Sequence, residues 1–113
     1  MGITSAVCNT FKQEILEAEH NFTASTGDTF NLALYDSGAD LSKSTTAYTT
    51  SEELATTGGY TAKGKALTSV TPVLSSDTAV CDFANISWTS ASFTANGCLI
   101  FNDSATGDPA CCT

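Results

Sequence analysis

The sequence predicts a mainly β domain, an antiparallel β-sandwich-like body of Ig-like or jelly-roll-like type preceded by one N-terminal amphipathic α-helix, and three observations carry that prediction. Charged residues make up only 14% of the chain while Ser and Thr recur throughout, which suits hydroxyl-rich pleated surfaces better than exposed helices. The stretch Ala79 to Asp103 alternates with a period of two: Phe93, Ala95, Gly97, Leu99 and Phe101 point one way, Thr94, Asn96, Cys98 and Ile100 the other. Helical spacing occurs only near the start, where Val7, Phe11 and Ile15 recur every fourth residue.

The 113 residues make a single domain, with the helix at about 4–19 and the sandwich at about 29–112. A chain of this size buries about two thirds of its unfolded surface. Four Lys and Arg against twelve acids leave a net charge of −8, a surface that repels nucleic acid. No window approaches the roughly 20 apolar residues that cross a bilayer, so no membrane partner is expected. The opening MGITSAVCNTF lacks a basic segment followed by an apolar run, which predicts a chain made in the cytoplasm.

Taken in order, Thr4 or Ser5 is the expected N-cap, its hydroxyl accepting an orphan amide of the first turn. Cys8 and Leu16 flank the Val7–Phe11–Ile15 stripe, while Thr10, Gln13, Glu14 and Glu17 form the wet flank. Glu17 and Glu19 sit at the end that disfavours negative charge. His20, the only histidine, reads as a helix-end surface residue without chemistry. A polar connection turning at Gly27-Asp28 leads into FNLALY, where Phe30, Leu32 and Leu34 form the inward face.

Residues 36–57 have little apolar pattern and predict a long excursion with a short edge strand at about 47–50, the leading partner-contacting region. Its acids, Asp36, Asp40, Glu52 and Glu53, lack calcium-loop spacing and read as a solvated turn. After Gly58-Gly59-Tyr60, strand character resumes over 62–70, with Lys63 and Lys65 blunting a sheet edge. Pro72 requires a break or an edge position, and Ser75-Ser76-Asp77 turns the chain into the Ala79–Asp103 stretch. There AVCDFA reads as an interior strand, a Ser/Thr-rich turn follows, and Trp88 is expected to cap the core of this antiparallel pair. The segment Asn102 to Asp108 resembles the start of an EF-hand loop but lacks the later bidentate acid, so it reads as a turn.

The five cysteines show no CxxC or Cys/His ligand spacing, so neither a zinc site nor a closed disulfide framework is predicted. Cys8, Cys81 and Cys98 read as small buried hydrophobes, whereas the adjacent Cys111 and Cys112 cannot easily bridge each other and are candidates for an intermolecular disulfide. No His/Asp/Ser grouping, no Cys beside a basic residue and no phosphate-binding Gly-rich loop is present, so neither catalysis nor a cofactor is expected.

The segments SAVCNTFKQEIL, TGDTFNLALY, GGYTAKGKALT and WTSASFTANGCLIFN together resemble a family of small virion structural proteins of tailed bacteriophages, and the resemblance spans nearly the whole chain. It implies a non-enzymatic component of the virion, made in the host cytoplasm: a capsid decoration or cement protein that binds the outer shell and bridges neighbouring capsid subunits. The implied partners are the major capsid protein or other virion proteins, with self-association into a homo-oligomer such as a trimer. Val7, Phe11 and Ile15 of the helix, or Tyr48 and Leu54 of the excursion, would then make the contacts, and Cys111 and Cys112 would lock neighbours. Family members run somewhat longer, with apolar strands beyond the segment corresponding to Gly107–Cys112. Here the sheet either closes within one subunit or is completed by a neighbour's strand. The alternative is a tail- or fibre-associated module that binds a host-surface glycan, with Tyr35, Tyr48, Tyr60 and Trp88 as stacking platforms.

Overall fold

The computed structural model describes residues 2–113 and organises them around β1 (Phe30–Tyr35), which lies inside a four-stranded antiparallel sheet. Its neighbours are β2 (Lys65–Ala66) on one side and β5 (Gly97–Asn102) on the other, with β6 (Ala110–Cys112) beyond β5. The pairs Asn31↔Phe101 and Ala33↔Leu99 set the register, so Ala33, Tyr35, Leu99 and Phe101 share one face while Phe30, Leu32 and Ile100 share the other. Both faces are covered. The first packs with Cys8, Ala39, Leu41 and Ala110; the second gathers Phe30, Leu67 and Cys111 beneath Phe11, Phe22, Phe83 and Ile86. Phe101 is buried as its alternation predicts, but the inward set of β1 is corrected. Phe30, Ala33 and Tyr35 are fully buried while Leu32 and Leu34 are half-buried, because a sheet covered on both sides has no single inward face.

The helix is shorter than expected: α1 spans Asn9–Leu16, and neither Thr4 nor Ser5 caps it. Residues 2–7 are extended instead. Thr4 N–H donates to the Leu41 carbonyl, Ala6 and Thr113 exchange both backbone hydrogen bonds, and Cys8 N–H donates to the Cys111 carbonyl. The Ala6 and Cys8 amides, which a helical first turn would leave orphaned, thus pair along the edge of β6. Val7 therefore lies outside the helix, bridging Cys112, and only Phe11 and Ile15 remain on its stripe. The helix stops at Ala18, which adopts φ 59° and donates to the Ile15 carbonyl while Glu19 N–H donates to the Glu14 carbonyl. This is the Schellman arrangement with alanine where glycine is usual, so no glycine marks the stop.

Residues 36–57 form the long irregular segment expected, but it is packed back on the sheet. Asp36 N–H donates to the Glu52 carbonyl and Leu54 N–H to the Leu34 carbonyl, extending the outer edge of β1 past β2. In place of an edge strand at 47–50 there is one bridge, Ala47↔Pro109. Ala39 and Leu41 enter the core. Gly64 allows the closest approach at this edge: at φ 70°, a β-carbon there would fall 1.8 Å from the Leu32 carbonyl oxygen. Lys63 and Lys65 flank this edge as expected, Lys63 paired with Asp103 and Asp108 and Lys65 lying over the Trp88 ring.

The second sheet is a two-stranded ribbon, β3 (Ser69–Ser75) paired with β4 (Thr78–Phe83), turning at Ser76-Asp77 with Ser76 at φ 58°. Its register shifts between Val70 and Val73, where Pro72 has no N–H for the ladder. This corrects the reading of Ala79–Asp103 as one hairpin. β4 pairs with β3 and β5 with β1 and β6, and the chain between them, 84–96, crosses from one sheet to the other without regular structure. It also corrects the interior placement of AVCDFA: β4 is exposed up to Phe83, since the alternation is present but neither face has cover. Trp88 caps no sheet; half-buried, it packs with Tyr60 and Phe93.

Candidate functional site

Two polar networks concentrate the titratable groups, and both hold the fold together. Glu53, on the connection between β1 and β2, accepts hydrogen bonds from the Tyr48 hydroxyl on Oε1, and from the Tyr60 hydroxyl (2.6 Å) and the Lys63 N–H (2.7 Å) on Oε2. The Tyr60 hydroxyl in turn accepts the Leu34 N–H at 3.0 Å, and Tyr35 donates to the Thr49 carbonyl at 2.6 Å. Burial pushes all three tyrosines up, and the Glu53 carboxylate adds to the shift at Tyr48 and Tyr60. Glu53 is thus a keystone, where the sequence suggests only a solvated turn.

The sign of the linkage follows. A phenol whose value is raised on folding contributes stability that is whole below the unfolded value of about 10 and is lost as pH rises above it. In a spectrophotometric base titration the three tyrosines are therefore expected to ionise only together with unfolding, above about pH 10. A tyrosine titrating normally in the native protein would contradict the burial of this trio.

His20 is corrected from a surface residue to a buried one. Its ring packs against Phe11 at 4.8 Å, and its side chain is fully enclosed. Asn102 Oδ1 accepts the Ser104 and Ala105 N–H groups, so its Nδ2 faces His20 Nδ1 at 3.0 Å and Asp28 Oδ2 at 2.7 Å. An amide nitrogen is only a donor; Nδ1 therefore accepts, and Nε2 carries the hydrogen donated to Glu14 at 2.9 Å. The Glu14–His20–Asn102–Asp28 chain looks like a proton relay in composition, but its imidazole is closed to solvent and joins α1 to the end of β5.

The surface offers a different kind of site. Every residue of β3 beyond Ser69 and of β4 before Phe83 is exposed, so both faces and both outer edges of the ribbon are open. Val73 is 60% and Leu74 76% exposed, with Val70 and Val80 beside them in the same sheet. From Ala66 to Ser76 the chain carries no charge, against −8 for the whole. A lone two-stranded ribbon is marginally stable by itself. This one is rooted by Phe83, which lies 5.8 Å from the Phe30 ring and 6.1 Å from Phe22.

At its root lies an apolar groove of about 320 Å³. Val7 and Phe11 contribute from the N-terminal segment and helix, Phe22 from the following connection, Cys81 and Phe83 from β4, and Ile100, Cys111 and Cys112 from β5 and β6. A second pocket of about 340 Å³, beside Asp28 and Thr68, is shallow and polar-rimmed.

Of the residues singled out in the sequence, Val7, Phe11, Cys111 and Cys112 thus meet in one groove. Ile15 is exposed on the helix, next to Leu16 at 89% exposure. Tyr48 and Leu54 lie elsewhere, half-buried, with Tyr48 tilted against Phe101 at 4.7 Å and its hydroxyl held by Glu53. Sequence reasoning missed the ribbon as a surface and Cys81, Phe83, Phe22 and Ile100 as groove residues. The uncharged run at 66–76 was the one available signal. Cys8 is buried as expected, Cys98 half-buried and Cys81 exposed. Cys111 is only 4% exposed, which leaves Cys112 as the more accessible thiol of the pair.

The aromatics named for glycan stacking are largely committed inward: Tyr35 and Tyr60 are buried, Tyr48 covers Phe101, and Lys65 lies over Trp88 at 5.3 Å. Among the described residues no group of three or more His, Cys, Asp and Glu side chains is placed to hold a metal ion, and no helix is long and apolar enough to cross a membrane. Comparison with protein-family models, with curated proteins and with solved structures finds no match.

Proposed function

We propose that this chain is a non-enzymatic structural component of a tailed-phage virion, a capsid decoration or cement protein that docks on the outer shell through its β3–β4 ribbon and bridges neighbouring subunits. The single observation that carries the reading is the ribbon itself: uncharged along β3, apolar, and open on both faces and both edges. An edge of this kind is a template for strand addition, and natural proteins protect such edges unless a partner covers them. The resemblance of the chain to small phage virion proteins supplies the kind of assembly. In this reading the four-stranded sheet is one leaf of an Ig-like or jelly-roll-like sandwich, and the ribbon is a second leaf that a capsid subunit or a further copy completes.

Repetition over a symmetric shell turns weak single contacts into a firm hold, because each engaged contact raises the effective concentration of the next. The acidic remainder of the surface keeps the protein away from packaged DNA. The buried imidazole and keystone carboxylate are structural here, with no substrate to reach.

Binding of the purified protein to shells of the cognate major capsid protein tests the proposal. Wild type is expected to decorate the shell in many copies. The double variant V73D/L74D is expected to lose roughly a hundredfold in apparent affinity, about tenfold for each apolar contact replaced by charge. Its melting temperature should be unchanged, as both side chains are exposed in the free chain. Equal binding by wild type and variant, or wild-type protein confined to a few copies on the tail, would refute the assignment.

A further inference from the structure

We infer that Cys81 and Cys112 form a reversible intramolecular disulfide that ties the β3–β4 ribbon to the edge of the four-stranded sheet. Three thiols line the groove at the ribbon's root, and they come from two different bodies: Cys81 from β4, Cys111 and Cys112 from β6. Cys111 and Cys112 are adjacent in the chain at an irregular point of the β5–β6 pairing, and adjacent cysteines do not easily reach disulfide geometry with each other. Cys111 is also enclosed, at 4% exposure, with its thiol raised by burial above all. Cys81 is exposed and Cys112 half-buried, so these two are the groove thiols that a small reagent reaches.

Cys98 is the competitor. It shares a face with Ile100, the partner of Cys112, but stands one diagonal step away and directly opposite Leu34. Diagonal positions in a rigid sheet lie about 7–8 Å apart, too far for a disulfide without moving backbone that β1 holds in place. The ribbon is paired to no strand of that sheet and is held at its root. Beyond its own ladder, the ribbon is tied at its root by Phe83 in the aromatic cluster, by Leu67 N–H to the Phe30 carbonyl (2.7 Å) and by Ala24 N–H to Thr71 Oγ1 (3.0 Å). Cys81, two residues before Phe83, closes on Cys112 by a swing of the ribbon while the sheet stays still.

The step is a thiol–disulfide exchange with a low-molecular-weight disulfide, RSSR, as the oxidant. The Cys81 thiolate attacks one sulfur of RSSR, forming a mixed disulfide and expelling RS⁻. The Cys112 thiolate then attacks Cys81 Sγ, forming the internal bond and expelling the second RS⁻. The two protons given up by the cysteines end on the two RSH molecules, and one RSSR is reduced for each disulfide formed. Burial raises the Cys112 thiol, as do the neighbouring Cys98 and Cys81 thiols to a smaller extent; burial and then Asp82 raise Cys81. Closure is therefore slow at neutral pH and faster in base.

The inference does not depend on the shell-docking proposal, since its readouts concern the isolated chain. The full chain is incubated with oxidised glutathione, alkylated under denaturing conditions and digested for mass spectrometry. Three of the five thiols should be alkylated, and one cross-linked peptide pair should join Cys81 to Cys112. Oxidation should raise the melting temperature by roughly 10 °C, and reductant should reverse the rise. C81S and C112S should each abolish the cross-link, while C98S should leave it intact. Alkylation of all five thiols, a link from Cys112 to Cys98, or a disulfide dimer on a non-reducing gel would each overturn the assignment.

Discussion

Replacing Glu53 by alanine is expected to destabilise the protein by about 3–4 kcal/mol, because three donors lose one acceptor group together. The Tyr60 hydroxyl, in a side chain only 2% exposed, would have no acceptor, and neither would the Tyr48 hydroxyl or the Lys63 N–H. Each buried donor left unpaired costs about 1–3 kcal/mol, and the lower figure suits Tyr48 because it is half-buried. Glu53 to Gln is the informative control. The amide oxygen still accepts from Tyr60 and Lys63, and its NH₂ donates to the Tyr48 hydroxyl, which accepts equally well. Only charge assistance is lost, about 1 kcal/mol. Urea unfolding measures both, as a fall in midpoint at constant slope. Equal losses for the two variants would show that the carboxylate charge, and not the hydrogen bonds an isosteric amide keeps, sets the role of Glu53.

Asn102 to Ala is expected to cost about 3 kcal/mol, since one fully buried amide supports four contacts. Its loss leaves the Ser104 and Ala105 N–H groups and His20 Nδ1 without partners. Asn102 to Asp keeps the shape and the accepting oxygen but sets a carboxylate oxygen where an NH₂ now lies 2.7 Å from Asp28 Oδ2. Two carboxylates at that distance share a proton more readily than either would alone, so the folded state of this variant binds protons more tightly than the unfolded state. Its stability deficit at neutral pH should therefore shrink as pH falls towards about 4.5. A deficit that widens in acid would mean that the amide does not face Asp28.

Much of the architecture was legible in the chain. The alternation through Leu99 and Phe101, the demand of Pro72 for an irregular place, the Ser76-Asp77 turn and the helical spacing of Phe11 and Ile15 are local signals, and each corresponds to a local feature of the fold. Four of the groove's eight lining residues, Val7, Phe11, Cys111 and Cys112, stood out in the sequence for separate reasons, but their meeting in one groove did not.

Local pattern left partnership open, because a period of two is the same whether a strand is covered or bare. AVCDF alternates as well as GCLIF does, yet β5 lies between β1 and β6 while β4 has a single neighbour. The N-terminal residues have helix-start chemistry, but the open edge of β6 offered their amides more hydrogen bonds than one capping hydroxyl does. Glu53 and His20 look like surface residues in sequence because their partners, Tyr60 and Asn102, stand 7 and 82 residues away. Composition and periodicity by themselves determined that this would be a β-rich acidic domain with one N-terminal helix. Which strand lies inside, which charge becomes a keystone and which ribbon is left bare were decided by long-range pairing, since burial belongs to the assembled sheet and not to any one segment.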